Sequence, residues 1–442
     1  MKSINPHDLS VIKEYTEMDI NEVNERISNS HQAYESWKKT SHKDRSQLLT
    51  NLSKSLKKNK NQLAELMQDE MGKKIEEGEG EIEKCAWVCE YYSKNAAQFL
   101  KDKTIETDAS KSYVKYSPKG VHLAIMPWNF PFWQVFRFLA PCLASGNSAL
   151  LKHASNVTSC ALAIENLFKE IDAPKDIFQA LVISGSKMEK VLDNDLIQGV
   201  SLTGSTPAGL KVKHQTARKL VSTVLELGGS DPYIVFEDAD LDNAIDNIIK
   251  GRFLNCGQSC IAAKRLIVHE SIYENFTQKL EEKIKAQELG PMASKELRDE
   301  LHQQVIQSVD EGAKLVLGGK IEKDDSAYYP ATMLVDVKPE HIAFKEELFG
   351  PVAVVTKFSS DDEALILANL TDFGLGSAIF TKDEKRIEHF TNEINAGSVF
   401  VNHFVKSDPR LPFGGEKLSG MGRELSENGI MEFVNIKTIS IQ

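Results

Sequence analysis

The chain has 442 residues, 41% of them hydrophobic, enough for two or three domains with sizeable cores. Its 53 basic and 64 acidic residues leave a formal net charge of -11, which argues against non-specific binding to nucleic acid or to an anionic membrane. No apolar run has the length of a membrane span, Met1 to Glu14 lacks the apolar core of a signal peptide, and six cysteines in so long a chain make no disulfide framework, so a reduced, cytoplasmic setting is expected. No His/Cys cluster has zinc spacing, and no metal is expected.

From Asp19 to about Leu100 apolar residues recur at three- and four-residue steps, as in Leu48, Leu52, Leu56 and Leu63, Leu66. The spacing predicts helices, broken at Gly72 and at the Gly78/Gly80 pair. These read as packing helices without chemistry. Lys101 to Gly120 alternates Thr, Ser, Tyr and Lys and predicts a strand or hairpin whose edge needs a cover. Asn435 to Gln442 also alternates and can pair with it or with a partner subunit.

Val121 to Met126 predicts a buried strand, and Phe132 to Leu139 a helix. Asn129, in Pro127-Trp128-Asn129-Phe130-Pro131, stands between them, where α/β folds bind ligands. Its amide can donate to a developing oxyanion, or it can cap the helix. Trp133 and Arg137 follow at helical spacing, placing the three within an arc of roughly 80°. An arginine in an apolar helix needs an anion. That anion is either a structural carboxylate or a carboxylate at the far end of a substrate.

Ala149 to Leu151 is a further strand, followed by Lys152-His153-Ala154-Ser155. Gln179 to Ile183 reads as a strand and Lys187 to Asp193 as a helix. Gly199 to Thr203 leads into Gly204-Ser205-Thr206-Pro207-Ala208-Gly209, where glycine at a helix start lets a pyrophosphate approach backbone N–H groups. Gly-x-Gly-x-x-Gly occurs nowhere, which counts against an ordinary Rossmann dehydrogenase.

After the apolar-leaning run Leu220 to Leu225 comes Glu226-Leu227-Gly228-Gly229. A carboxyl against apolar walls acquires a raised pKa suited to a general base. Thirty-four residues on, Asn255-Cys256-Gly257-Gln258-Ser259-Cys260 sets a thiol on a short polar segment, a plausible nucleophile wherever its thiolate is stabilised. Beyond it, strand patterns such as Ile261 to Val268 and Val399 to Asn402 alternate with amphipathic stretches such as Tyr273 to Ala286 and Lys295 to Glu311. The fold class is therefore α/β with mostly parallel sheets.

Glu-Leu-Gly-Gly followed by Asn-x-Gly-Gln-x-Cys resembles the active-site signature of the aldehyde dehydrogenase superfamily, and the resemblance runs over nearly the whole chain. It implies a Rossmann-type cofactor domain in 1–100 and 121–225, an α/β catalytic domain in 226–425, and a β oligomerisation arm from 101–120 and 426–442, in a homodimer or homotetramer. It implies Cys260 as nucleophile, Glu226 as base and Asn129 as half of the oxyanion hole. For the cofactor it implies Trp128, Lys152, Ser155, Gly204, Ser205, Glu347 and Phe349, the last two in Phe344 to Val352. Ser155 stands where NAD-preferring members commonly have glutamate, so the reading leans to NADP while leaving NAD open. Trp133, Arg137 and Ser407 are the implied substrate residues, with Ser407 in the loop before the C-terminal signature Pro412 to Glu424.

The Lys-His-Ala-Ser form and the short N-terminus resemble the succinate-semialdehyde branch of the family, implying oxidation of succinic semialdehyde to succinate through a thiohemiacetal and a thioester. Broad-specificity aliphatic aldehyde oxidation, a non-catalytic cofactor-binding scaffold and a cofactor-independent thiol esterase are the alternatives. Cys256 is either a packing residue or the partner of a protective disulfide.

Overall fold

The structure is a computed structural model describing residues 1–322 and 324–442. Four helices, Ile20–Trp37, His42–Lys58, Lys60–Met71 and Ile75–Phe99, occupy the stretch read as helical. Capping boxes start the first two, Asp19 with Glu22 and Ser41 with Asp44. Gly72, at φ 75°, ends the third. Gly78 and Gly80 do not break the chain as expected. Both lie inside Ile75–Phe99, where a Cβ on Gly78 would stand 3.0 Å from the Cβ of Ala64, so glycine there lets two helices approach. A hairpin of Lys2–Ile4 and Val11–Glu14, which no sequence signal indicated, precedes them. Buried Glu70 accepts from the Ser3 hydroxyl at 2.8 Å and from the N–H groups of Ser159 and Cys160 at 3.0 Å each, tying this hairpin to the start of the helix Thr158–Glu170.

Two sheets organise the remainder. The first has six strands in the order 420–421, 222–226, 197–203, 121–126, 148–153 and 178–180, all parallel except the first. The chain runs outward from 121–126 in one direction, then returns to its other side with 197–203. That reversal makes a crevice beyond the carboxyl ends of these two strands. Asn129 and Gly204 follow them, one on each side.

The second sheet has seven strands in the order 314–317, 332–335, 352–358, 263–269, 231–235, 377–380 and 399–401, parallel apart from the first. Its central strands are almost wholly buried, as expected where helices cover both faces. A third sheet pairs Val434–Ile441 with Lys111–Pro118, and the latter with Lys103–Ile105, so the two alternating segments meet within one chain. Residues 426–431 do not join it. They form a short helix, whose Ser426 carbonyl accepts from the Tyr92 hydroxyl at 2.9 Å. Among the described residues no helix is long and apolar enough to cross a membrane, and no group of three His, Cys, Asp or Glu side chains is disposed to hold a metal.

Candidate active site

Cys260 lies where two cavities meet. One, of about 300 Å³, contains Trp128, Asn129, Gly204, Ser205, Glu347 and Phe349. The other, of about 450 Å³, contains Trp133, Arg137 and Ser407. Gln134 and Cys260 belong to both. Ten of the thirteen residues singled out in the sequence thus converge on one thiol. Lys152, Ser155 and Glu226 line neither cavity.

The loop that carries Cys260 is strained and tied down. Asn255 and Cys256 both have φ of 55°, in the left-handed region. Gly257, at φ 71°, passes so close to the 346–350 loop that a Cβ would stand 2.4 Å from the Gly350 carbonyl. Arg252 donates to the carbonyls of Leu348, at 3.0 Å, and Gly350, which anchors the loop bearing Glu347 and Phe349 beneath the thiol. The Gly-Gly pair after Glu226 serves the same convergence. A Cβ on Gly228 would meet Glu347 Oε2 at 2.5 Å, and one on Gly229 the Cys260 carbonyl at 2.6 Å.

Asn129 is not the cap of the following helix, which starts at Trp133. Its leading N–H groups, those of Phe132 and Trp133, go to the buried Glu81 carboxylate at 2.8 and 2.9 Å. The shared helical face therefore holds for Trp133 and Arg137 only. The Asn129 carbonyl is held by Lys73 and Asn255, at 2.9 and 2.7 Å. Its side-chain oxygen accepts from Gln134 Nε2 at 3.0 Å, which turns its NH2 toward the Cys260 loop, where one hydrogen goes to the Gln258 carbonyl at 3.0 Å. The second hydrogen is left for a ligand.

Burial pushes the Cys260 thiol up to about 12, against the opposing pull of Lys264 and Arg137. Lys264, absent from the sequence reading, donates to the Cys260 carbonyl and pairs with Glu347, each at 2.7 Å. Glu226 ends the strand Ser222–Glu226, fully buried, its Oε1 against Gly414, and neither of its oxygens is hydrogen-bonded. Burial, then the nearby Glu424, hold its carboxyl well above the usual range. That is the state of a base which takes up a proton readily.

Arg137 meets an internal anion. It forms an ion pair with Glu424, both side chains 3% exposed, and donates to the Thr203 hydroxyl at 3.2 Å. Arg137 thus has a structural carboxylate partner and also lines the larger chamber. Sequence reasoning missed Lys84, on Ile75–Phe99, which lines the same cavity and donates to the Ser407 hydroxyl at 2.7 Å. The available signal was a lysine beside Ile82, Cys85 and Val88 on a buried stripe.

The smaller cavity and the strand ends beside it present groups suited to a dinucleotide. Ser205 makes no side-chain cap on the helix Thr206–Ala217, so its first N–H groups remain for an anion. A Cβ on Gly204 would point into open space, touching only Leu202 at 3.6 Å. Trp128 and Phe349 meet edge to face, 5.8 Å between centroids, as an aromatic wall. At the end of the strand Ser148–His153, neither the Lys152 ammonium nor the Ser155 hydroxyl has a hydrogen-bond or close ion-pair partner among the described residues. His153 braces this end, its ring nitrogens 3.1 Å from the Met126 carbonyl and 2.9 Å from the Pro131 carbonyl, either side of Asn129. All six cysteines are free, and burial pushes the Cys256 thiol up to about 12.

Residues 1–439 match the family model described as the aldehyde dehydrogenase family. The chain is 43% identical to a probable NADP-dependent succinate-semialdehyde dehydrogenase of Synechocystis sp., the match covering 99% of each protein. It is 41% identical to succinate-semialdehyde dehydrogenase [NADP(+)] 1 of Mycobacterium tuberculosis, again over 99% of each. Its fold superposes on the crystal structure of succinic semialdehyde dehydrogenase from Streptococcus pyogenes in complex with NADP+, with a TM-score of 0.97 and 33% identity, covering 100% of this chain and 99% of that one. On this evidence the chain belongs to the aldehyde dehydrogenase family.

Proposed function

We propose that this protein oxidises succinic semialdehyde to succinate with NADP. The observation that carries the reading is the position of Cys260 at the meeting of two cavities, one walled by Trp128, Gly204, Ser205 and Phe349 and the other by Trp133, Arg137 and Ser407. Its full-length likeness to NADP-dependent succinate-semialdehyde dehydrogenases supports the substrate and the cofactor.

The Cys260 thiolate attacks the aldehyde carbon, giving a tetrahedral thiohemiacetal. The Asn129 amide and the Cys260 backbone N–H donate to its oxyanion, and losing one such donor costs about 2.7–4 kcal/mol. Gln134 keeps the Asn129 amide in its donating orientation. When bound, the nicotinamide supplies the hydride acceptor that converts the thiohemiacetal to a thioester. Trp128, Glu347 and Phe349 hold its ring and ribose, Gly204 and Ser205 its pyrophosphate, and Lys152 and Ser155 its adenosine end. The unpartnered Lys152 and Ser155 donors suit a 2′-phosphate. Glu226 then turns from Gly414 toward the thioester, takes a proton from water, and so releases the acid. Trp133, Arg137 and Ser407 wall the substrate chamber.

The same reading divides the chain into a cofactor domain in 1–100 and 121–225, a catalytic domain in 226–425 and an arm in 101–120 and 426–442. The arm sheet leaves Ile105, Ile436 and Ile441 exposed, which supports its burial in a homodimer or homotetramer. A cytoplasmic setting belongs to this reading as well. Its test is kcat/KM for succinic semialdehyde and for butanal, each with NADP and with NAD. Preference for the semialdehyde with NADP is expected. Equal rates for the two aldehydes would make the protein a general aliphatic aldehyde oxidiser.

A further inference from the structure

The helical stretch before residue 100, whose sequence pattern shows packing alone, carries three charged side chains at four-residue spacing, Lys73, Glu77 and Glu81. Lys73 lies just before the helix Ile75–Phe99, and Glu77 and Glu81 share one face of it. All three border the larger cavity, yet their bonds go to backbone. Lys73 donates to the Asn129 carbonyl at 2.9 Å and pairs with Glu81. The other Glu81 oxygen accepts from the Phe132 and Trp133 N–H groups at 2.8 and 2.9 Å. Glu77 accepts from the Asn255 N–H, its two oxygens at 3.2 and 3.1 Å.

One stripe thus grips two separate segments, the one from Asn129 to Trp133 and the one that leads through Asn255 to Cys260. The segments also touch each other: Asn255 Nδ2 donates to the Asn129 carbonyl at 2.7 Å, and the Asn129 amide to the Gln258 carbonyl at 3.0 Å. Each segment supplies one oxyanion donor, the Asn129 amide from the first and the Cys260 N–H from the second. Such donors act only while both stay aimed at one point, and a misplacement of about 1 Å costs on the order of a hundredfold in rate. Both segments leave regular structure, with Asn255 at φ 55°, so their register needs a rigid element outside them. Lys73 and Glu81 are 1% and 2% exposed, and a buried pair of charges keeps its place only when its remaining bonds are met. Here the Asn129 to Trp133 backbone meets them.

We propose that Lys73, Glu77 and Glu81 are positioning residues that hold the two halves of the oxyanion hole in register. The assignment rests on the reading of Asn129 and Cys260 as the oxyanion donors.

The test uses the full-length protein with NADP and succinic semialdehyde. Glu77→Met removes the acceptor of the Asn255 N–H. Lys73→Met/Glu81→Gln removes both charges of the pair together, so that neither is left buried and unmatched. For each, alone and in an Asn129→Ala background, the single-turnover rate of cofactor reduction, KM for the aldehyde and Kd for NADP are measured. Both should lose roughly tenfold to a hundredfold in the single-turnover rate, with KM and Kd within about twofold of the parent. In the Asn129→Ala background Lys73→Met/Glu81→Gln should be nearly silent, because the amide it aims is gone. Glu77→Met should still cost its full factor there, through the Cys260 N–H.

Parental rates in both variants overturn the assignment, and so does a loss confined to KM. A Lys73→Met/Glu81→Gln factor that is the same with and without the Asn129 amide also overturns it, since a general loosening of the site would behave that way. If that variant does not fold, Glu77→Met and Glu77→Gln carry the test. The Glu77→Gln carbonyl still accepts from Asn255, so this variant should recover most of the rate, and equal losses in the two overturn the assignment. An Asn129→Ala enzyme with the parental rate removes the oxyanion reading itself, and the assignment with it.

Discussion

Lys264 holds the carbonyl of Cys260, its Nζ 2.7 Å from that oxygen while the same ammonium pairs with Glu347. One buried cation thus fixes the backbone of the proposed nucleophile and the carboxylate assigned to the ribose. It also sits near enough to favour the thiolate, yet burial outweighs it, and the thiol is held protonated at about 12.

Alkylation of Cys260 reports this balance. A thiol with so high a pKa gains thiolate about tenfold per pH unit through the neutral and mildly alkaline range. In the free enzyme the iodoacetamide rate at Cys260 should therefore climb from about pH 7 to about pH 9 without levelling off. A plateau below about pH 8 would show a thiol already activated before ligands bind.

Glu226 predicts a trade between stability and activity. Its folded-state pKa lies above the ordinary 4.5, through burial and then Glu424, so above that pH the folded protein binds more protons than the unfolded chain. Stability on this account falls as pH rises from there through the folded-state value. Glu226→Gln cannot ionise and escapes the loss. It should melt above the parent at about pH 8, the gap shrinking toward about pH 5, while turnover drops roughly 10²–10⁴-fold. A gap that does not change with pH would contradict the burial of an unpaired carboxyl.

Arg137 and Glu424 form an ion pair that is 3% exposed on each side. Removing one partner leaves a buried charge unmatched, at a cost of about 3–5 kcal/mol. Glu424→Gln should lower the denaturation midpoint accordingly, in the absence of any substrate. An unaltered midpoint would mean that Arg137 has another anion.

The proposed cofactor role of Ser155 predicts a switch between NADP and NAD. Ser155→Glu places a carboxylate beside Lys152, where it repels a 2′-phosphate and accepts from ribose hydroxyls. The kcat/KM ratio of NADP to NAD should fall by roughly tenfold or more. If it stays constant, selection lies elsewhere in the cleft.

Much of this was legible in the sequence because it is local. Strand-to-loop junctions mark Asn129 and Gly204 by periodicity and turn chemistry, whereas Cys260 is singled out by the resemblance of its short motif and that of Glu226 to a family signature. The partners of Arg137 and Ser407 were not legible. Glu424 and Lys84 are far from them in the chain, and only folding brings them together. Gly78 shows the same limit: a break by local propensity becomes a contact between helices once Ala64 packs against it. Asn129 shows the converse, since the capping role its position allows is taken by Glu81 from another helix.

The measurement that tests the account most directly is the mass of the trapped intermediate. Glu226→Gln protein is mixed with NADP and excess succinic semialdehyde, quenched in acid, and analysed intact and as peptides. The account predicts one succinyl group per chain, on Cys260, formed together with reduced cofactor. Reduced cofactor without an adduct, or with the adduct on another residue, would contradict it.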